Sequence, residues 1–338
     1  MHRTFRFLSQ APVQAIKKTV LISQSHDIYT NLAYEDWLYT HQEFENHNVL
    51  MLWSNDPCVV IGRYQNPWLE ANVPELPQIT QNGVLLARRK SGGGAVYQDR
   101  GNLNLTFFTS KKQYHRKHNL ELIARAVHKN YGVKITVNDR DDLVIGDSKV
   151  SGTAAKLGRL NAYHHCTLLV HANKTNLSRA LHKQRWNIQT NATQSTRSKV
   201  LNLSNEIPGI TINDLLWMIG YEYLNTNDFQ YINPEDNFSA NVFACRDELR
   251  SWDWCYGNTP KFTINKSFPI DCKINCDVTI TVENGRIASV DLGNTAGLVV
   301  KEGIFDNLKN CQFDINVFDS VANLLFDAKE LVAKSKQV

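Results

Sequence analysis

The sequence predicts an α+β fold in two parts, a large domain followed by a small one. Three observations lead there. Short apolar runs with strand character alternate with stretches of helical periodicity from about residue 19 to residue 219. After about residue 255 the texture changes to a hairpin signal and a single amphipathic helix. The 338 residues are 42% hydrophobic and 21% charged, the balance of an ordinary globular chain able to bury a sizeable core.

The elements follow in order. Thr19-Val20-Leu21-Ile22 reads as a strand, and Asp27 as the cap of a helix with Ile28, Leu32 and Leu38 at roughly helical spacing. Strands are expected at 49–53, 58–61, 84–87 and 103–109. Asn119 is read as the cap of a second helix, with Leu120, Ile123 and Val127 on one face and Gly132 as its stop. Further strands are expected at 133–137, 143–145, 150–155 and 163–170. Thr211 with Asp214 three residues later opens a helix through Met218 and Ile219. The polar segment 182–200 reads as a mobile loop. Near the end, 278–282 and 286–290 flank Asn284-Gly285, and Phe318, Val321, Leu325, Ala328 and Val332 repeat at intervals of 3, 4, 3 and 4.

Charge and cysteines narrow the function. Residues 1–26 contain Arg3, Arg6, Lys17 and Lys18 and no acid; setting those four aside leaves 33 basic and 33 acidic side chains in the body. A nucleic-acid binder needs its cations concentrated in the body, so no nucleic-acid partner is expected. The leader has the composition of a mitochondrial targeting segment, residues 1–18, or equally of a basic N-terminal strand with a ragged start. No apolar run approaches the ~18 residues of a membrane span, and no membrane association is expected. Cys58, Cys166, Cys245, Cys255, Cys272, Cys276 and Cys311 are an odd, scattered set, expected to be free thiols in a reducing compartment. Cys272 and Cys276 lack a second pair at zinc spacing, and His164 and His165 project to opposite faces of a strand, so no metal site is expected.

Two stretches carry chemistry. In Arg88-Arg89-Lys90-Ser91-Gly92-Gly93-Gly94-Ala95-Val96-Tyr97, three glycines after a strand let backbone N–H groups approach an anion, and three cations precede them. A tight turn with a solvated basic flank explains the same residues, because glycine-rich loops are weak motifs without context. The spacing is neither that of a P-loop nor GxGxxG. In Asp147-Ser148-Lys149-Val150-Ser151-Gly152-Thr153-Ala154, a lysine enters a strand of small and apolar residues. It is either a solvent-facing lysine or a fixed cation for a phosphate and an adjacent acyl carbonyl.

The run 88–97 with Asp99, Gly101 and Asn102 resembles the signature of the lipoate–protein ligase and lipoyltransferase family. So do Asn31-Leu32-Ala33 with Glu35, Ile61-Gly62-Arg63 with Gln65-Asn66, and Lys149-Val150-Ser151-Gly152. His164-His165-Cys166-Thr167-Leu168-Leu169, Ser195-Thr196-Arg197-Ser198-Lys199-Val200, Trp252-Asp253-Trp254, Tyr256-Gly257 and Thr259-Pro260-Lys261-Phe262 match in the family's order. The resemblance covers about residues 27–265. It implies a mixed-sheet catalytic domain of the biotin/lipoyl-ligase type over 19–250 and a small α+β accessory domain over 251–338.

The resemblance also implies a role for each matching residue. Lys149 would be catalytic, touching the phosphate and lipoyl carbonyl of lipoyl-AMP. Arg88, Ser91, Gly92, Gly93, Gly94, Ala95, Val96 and Tyr97 would wrap the acyl-adenylate. Asn138 and Asp142 would lie near the adenosine, with Gly152, Thr153, His165 and Thr167 lining the ligand and Thr196 and Ser198 closing over it. Two departures stand out: Gln98 where activating ligases carry histidine, and Arg140-Asp141-Asp142-Leu143 where they carry Arg-Asn-Asp-Leu. The added negative charge disfavours ATP activation, so a preformed donor is expected, with Mg2+ needed only if activation is retained.

The expected activity is lipoyl transfer, by a monomer in the mitochondrial matrix, to lysines of the lipoyl domains of 2-oxoacid dehydrogenase E2 subunits and of the glycine-cleavage H protein. Amidotransfer from H protein to E2 subunits, full ATP-dependent ligation, and a non-catalytic lipoyl or nucleotide carrier are the alternatives. Transfer through Cys166 is a further enzymatic alternative, weighed against a small buried strand residue.

Overall fold

The computed structural model describes residues 16–184, 186–235, 240–271, 274–293 and 302–325. Its centre is a six-stranded mixed sheet in the spatial order Ser151–Leu157, Asn161–Leu169, Asn102–Ser110, His47–Trp53, Lys17–Ser23 and Gln230–Ile232. The first four strands pair antiparallel, and the last two join in parallel.

Both faces of this sheet are covered, so Lys17–Ser23 and His47–Trp53 carry continuous apolar runs, whereas Asn102–Ser110 and Asn161–Leu169 also bury polar residues such as Asn104, Thr106 and His165. Val20, Ile22, Leu50 and Leu52 point to one core, shared with helices Arg116–Tyr131 and Ile212–Leu224. Leu21, Val49, Met51 and Trp53 point the other way, towards helices Ile28–His41 and Ala240–Arg250. The site lies at the end of the second face, where a three-stranded sheet of Leu85–Arg88, Cys58–Ile61 and Val96–Gln98 carries the glycine run.

Local signals placed several elements well. Asp27 caps its helix through Thr30 N (2.7 Å), and Thr211 and Asp214 form a reciprocal capping box. Gly132 ends its helix at φ 70°, and Asn284 and Gly285 both take positive φ in the hairpin turn. The second helix, however, starts at Arg116 with His115 as cap, four residues before the expected one. Its first turn, Arg116-Lys117-His118, has no apolar periodicity to betray it. The strand expected at 133–137 shrinks to Thr136–Val137.

The segment 182–200 is not simply a loop. Its residues Asn187–Thr190 form the edge strand of a four-stranded antiparallel sheet with Phe262–Asp271, Ile274–Glu283 and Arg286–Leu292. Polar edge strands carry little alternation, so the pattern could not announce it. A helix over 317–325 packs Phe318, Val321 and Leu325 on this sheet; Ala328 and Val332 lie outside the described residues, as does Cys272. Of the expected targeting segment, residues 1–15 lie outside them too, while Lys17 and Lys18 are strand residues paired with His47 and Asn48.

Candidate active site

The glycine run is built to a tight tolerance. Gly93 sits at φ 90°, where a β-carbon would come 3.0 Å from the Arg89 guanidinium and 3.2 Å from the Ala154 methyl. Across from it, a β-carbon on Gly62 would collide with the Gly93 carbonyl. Ala95 N donates to Ser195 Oγ (2.8 Å), which also accepts from Gln65 Nε2 (3.0 Å). Thus the segment following the edge strand is fastened over the run.

The three cations before the glycines are engaged by the fold's own oxygens, and of the three only Arg89 lines one of the spaces described below. Arg88 is fully buried, and its guanidinium donates to the carbonyls of Trp254, Cys255, Gly62, Arg63 and Gln65 and to Thr259 Oγ1. Arg89 donates to Ser91 Oγ (3.0 Å) and to the carbonyls of Val60 (3.1 Å), Gly92 (2.6 Å) and Gly94 (2.8 Å). Burial pushes the Arg89 guanidinium down to about 10, so it remains charged at neutral pH. Lys90 is ion-paired with Asp36 (2.9 Å) and Glu248 (3.5 Å). Protein oxygens occupy all three.

Lys149 is placed differently. It ends a small antiparallel sheet of Thr136–Val137, Leu143–Ile145 and Ser148–Lys149, and its backbone is gripped by the 195–201 segment through Lys199 O (2.8 Å) and Leu201 N (2.9 Å). Its ammonium pairs with Asp142 Oδ1 at 2.7 Å and keeps 24% of the side chain accessible. It lines a cavity of about 350 Å3 with Glu70, Ala95, Val96, Tyr97, Asn102, Gly152, Thr167, Leu169, Leu177, Leu181, Ser195, Thr196 and Ser198. An adjoining lobe of about 300 Å3 brings Lys149 together with Gly93, Gly94, Ala95, Arg140, Asp142, Thr153, Thr196 and Ser198.

A third space, a narrow slot of about 40 Å3, runs between Leu32, Trp53 and Val60 on one side and Gln98, Asn104, His165 and Thr167 on the other. Val96 and Gly152 wall all three spaces. Behind the slot, His165 bridges Glu35 Oε1 (2.9 Å) and Ser91 Oγ (2.9 Å), which in turn meets Arg89. Gln98 accepts from Asn55 Nδ2 (2.6 Å) and donates to Thr167 Oγ1 (3.0 Å), and Thr167 donates to Asn104 Oδ1 (2.7 Å). The alternation of the strand puts His164 and Cys166 on the opposite, apolar face. There burial holds the His164 imidazole well below its ordinary value and pushes the Cys166 thiol well up. A buried, protonated thiol on the far face is no nucleophile.

The structure therefore gathers Lys149, Gly93, Gly94, Ala95, Val96, Tyr97, Asp142, Gly152, Thr153, His165, Thr167, Thr196 and Ser198 around three spaces that share walls. Arg88, Ser91, Gly92 and Asn138 are not among the residues lining them. Ser91 and Gly92 serve as partners of Arg89, and Asn138 Oδ1 accepts from the Arg140 and Asp142 amides of its own turn. Sequence reasoning missed Glu70, Asn104, Leu177 and Leu181, and it names Ser195 only as part of a matching stretch. Trp53 was read only as a strand residue, and Gln98 only as a departure. Among the described residues, no group of three or more His, Cys, Asp or Glu could hold a metal ion.

Comparison with known proteins agrees with this architecture. Residues 27–219, more than half of the chain, match the lipoyl protein ligase A/B catalytic domain. The chain is 44% identical over 293 residues to human lipoyl amidotransferase LIPT1, mitochondrial, covering 82% of this chain and 78% of that one. It is 31% identical over 332 residues to lipoate-protein ligase A of Psychrobacter cryohalolentis, covering 94% and 92%. Among solved structures, P. falciparum LipL1 in complex with lipoate matches with a TM-score of 0.61 at 28% identity, over 91% of this chain and 89% of that one. Fold, site and sequence together show that the chain belongs to the lipoyltransferase and lipoate–protein ligase family of enzymes.

Proposed function

We propose that the chain transfers a lipoyl group from lipoyl-AMP to a lysine of the lipoyl domains of 2-oxoacid dehydrogenase E2 subunits and of the glycine-cleavage H protein, in the mitochondrial matrix. The observation that carries this reading is the Lys149 ammonium, accessible in the same lobe as the glycine run. The two larger spaces, of about 350 and 300 Å3, suit an acyl-nucleotide, while the slot of about 40 Å3 between Leu32, Trp53 and Val60 would have to widen to take an acyl chain. The mitochondrial setting follows the names of the human and mouse relatives.

In this reaction the acceptor amine must first lose a proton. An ordinary lysine near pKa 10.4 needs about 4–5 kcal/mol for that at pH 7. The nearby Lys149 cation favours the loss, and the amine nitrogen then attacks the acyl carbon. The new C–N bond forms as the acyl C–O bond to phosphate breaks, AMP leaves with the electron pair, and the attacking nitrogen gives up its second proton to solvent. Lys149 donates to the developing oxyanion, and no acyl-enzyme intermediate is formed.

A second reading is favoured by the name amidotransferase borne by the human and mouse relatives. There the donor is lipoyl-lysine of H protein. The acceptor amine attacks the amide carbon, the donor C–N bond breaks, and the acceptor's proton ends on the departing amine. One mass-spectrometric experiment separates the readings. An isolated lipoyl domain is incubated with the protein and lipoyl-AMP, lipoylated H protein, or free lipoate with ATP and Mg2+. Mass gain with lipoyl-AMP supports the first reading, and gain confined to lipoylated H protein replaces it with the second. Gain with free lipoate marks a full ligase. Tight donor binding without gain marks a carrier and ends both transferase readings.

A further inference from the structure

The mechanism leaves Arg88 without a task, although it is the largest fully buried side chain among the described residues. Its seven hydrogen bonds, among the described residues, all go to uncharged oxygens. A buried charge with no carboxylate is costly to desolvate, and its retention calls for a geometric reason. The fork reaches two separate segments. Nε and one terminal nitrogen hold Trp254 O (3.2 Å), Cys255 O (3.0 and 2.8 Å) and Thr259 Oγ1 (2.9 Å) around the π-helical turn Asp253–Gly257. The other nitrogen holds Gly62 O (3.4 Å), Arg63 O (3.0 Å) and Gln65 O (2.8 Å). Trp254 returns the contact, donating from its indole to Arg88 O at 2.7 Å.

The 62–65 segment is itself joined to the glycine run. Arg63 N donates to Ser91 O (2.9 Å), and Gln65 reaches the Ser195 hydroxyl that accepts from Ala95 N. We infer that Arg88 is a positioning residue that sets the glycine run against the Asp253–Gly257 turn at the entry to the four-stranded sheet. A π-helical turn supplies the converging carbonyls because it offsets the usual helical hydrogen bonding. Lysine cannot replace the guanidinium, since one ammonium cannot span two segments in a planar fork.

The catalytic consequence rests on the lipoyl-transfer reading, whereas the positional one does not. Arg88→Lys and the milder Thr259→Ala are compared with wild type by amide hydrogen exchange and by transfer from lipoyl-AMP to an isolated lipoyl domain. Exchange over 89–97 is expected to rise about tenfold in Arg88→Lys, the scale of one lost bond to a charged group, and by a smaller factor in Thr259→Ala. Peptides from 212–224 and 278–290 should keep wild-type exchange, and the KM for lipoyl-AMP should rise while that for the acceptor holds. Unchanged exchange over 89–97, or acceleration shared equally by the distant peptides, overturns the inference. If wild type cannot use lipoyl-AMP, that donor fails, and the exchange comparison still decides the role of Arg88.

Discussion

Arg88, Arg89 and Lys90 on one hand and Lys149 on the other bring the same charge to the same glycine run, with opposite fates. The first three are taken up by carbonyls and carboxylates of the fold itself. Lys149 meets one carboxylate, Asp142, and keeps a quarter of its side chain accessible in the cavity. Adjacent histidines repeat the contrast, with His164 packed against Phe107 in the core and His165 facing the slot. Proximity to a motif in sequence says little about which charge a ligand meets; the number of protein acceptors within reach decides it.

Removing a cation of each kind gives the most severe test. Arg89→Met should destabilise the fold by about 3–5 kcal/mol, because a fully committed buried charge is lost and its partners are left unpaired. Denaturant titration measures this, and a loss below about 1 kcal/mol would mean that Arg89 is not the brace of the glycine run. Lys149→Ala should leave the thermal midpoint nearly in place and lower transfer about 100- to 1000-fold, the usual effect of removing one oxyanion donor. Near-normal mass gain on the lipoyl domain in that variant would refute its catalytic role.

The histidine contrast predicts a pH dependence. Burial, with Arg116 nearby, keeps His164 neutral in the fold, with its value below the ordinary 6.5. The unfolded chain therefore binds the extra proton first. The stability held by this group is complete above about pH 6.5 and falls below it, by up to about 1.4 kcal/mol per pH unit. Between about pH 7 and about pH 5 the wild type should lose more unfolding free energy than His164→Phe, which removes the titration. Equal losses would place His164 among the accessible groups.

The smallest effect is expected at Asp141, whose added negative charge the sequence sets near the phosphates. Its carboxylate pairs instead with Arg116 at 3.2 Å, with both side chains about a third exposed. Asp141→Asn should change stability by no more than about 0.5 kcal/mol and leave transfer from lipoyl-AMP within about twofold. A marked gain of activity with free lipoate and ATP in that variant would show that the carboxylate does act on the cavity. Its backbone, at φ 57°, suits asparagine as well as aspartate.

Much of the framework was legible because its signals are local. The capping box at Thr211 and Asp214, the Asn284-Gly285 turn and the Gly132 stop depend on neighbours a few residues away. The apolar strands of a sheet covered on both faces announce themselves as well. From the sequence alone came the α+β class, the order of the main elements, and a glycine run and one lysine as candidates for a site. Tertiary structure alone decided which polar groups are free. Arg88 finds its carbonyls 167 residues away at Cys255, and Glu35 meets His165 across 130 residues. It also decided that a polar stretch at 187–190 becomes a sheet edge, because its hydrogen-bonding partner, Phe262–Asp271, lies in another part of the chain. Periodicity reports the face a residue shows, but the partner waiting there is fixed only when distant segments meet.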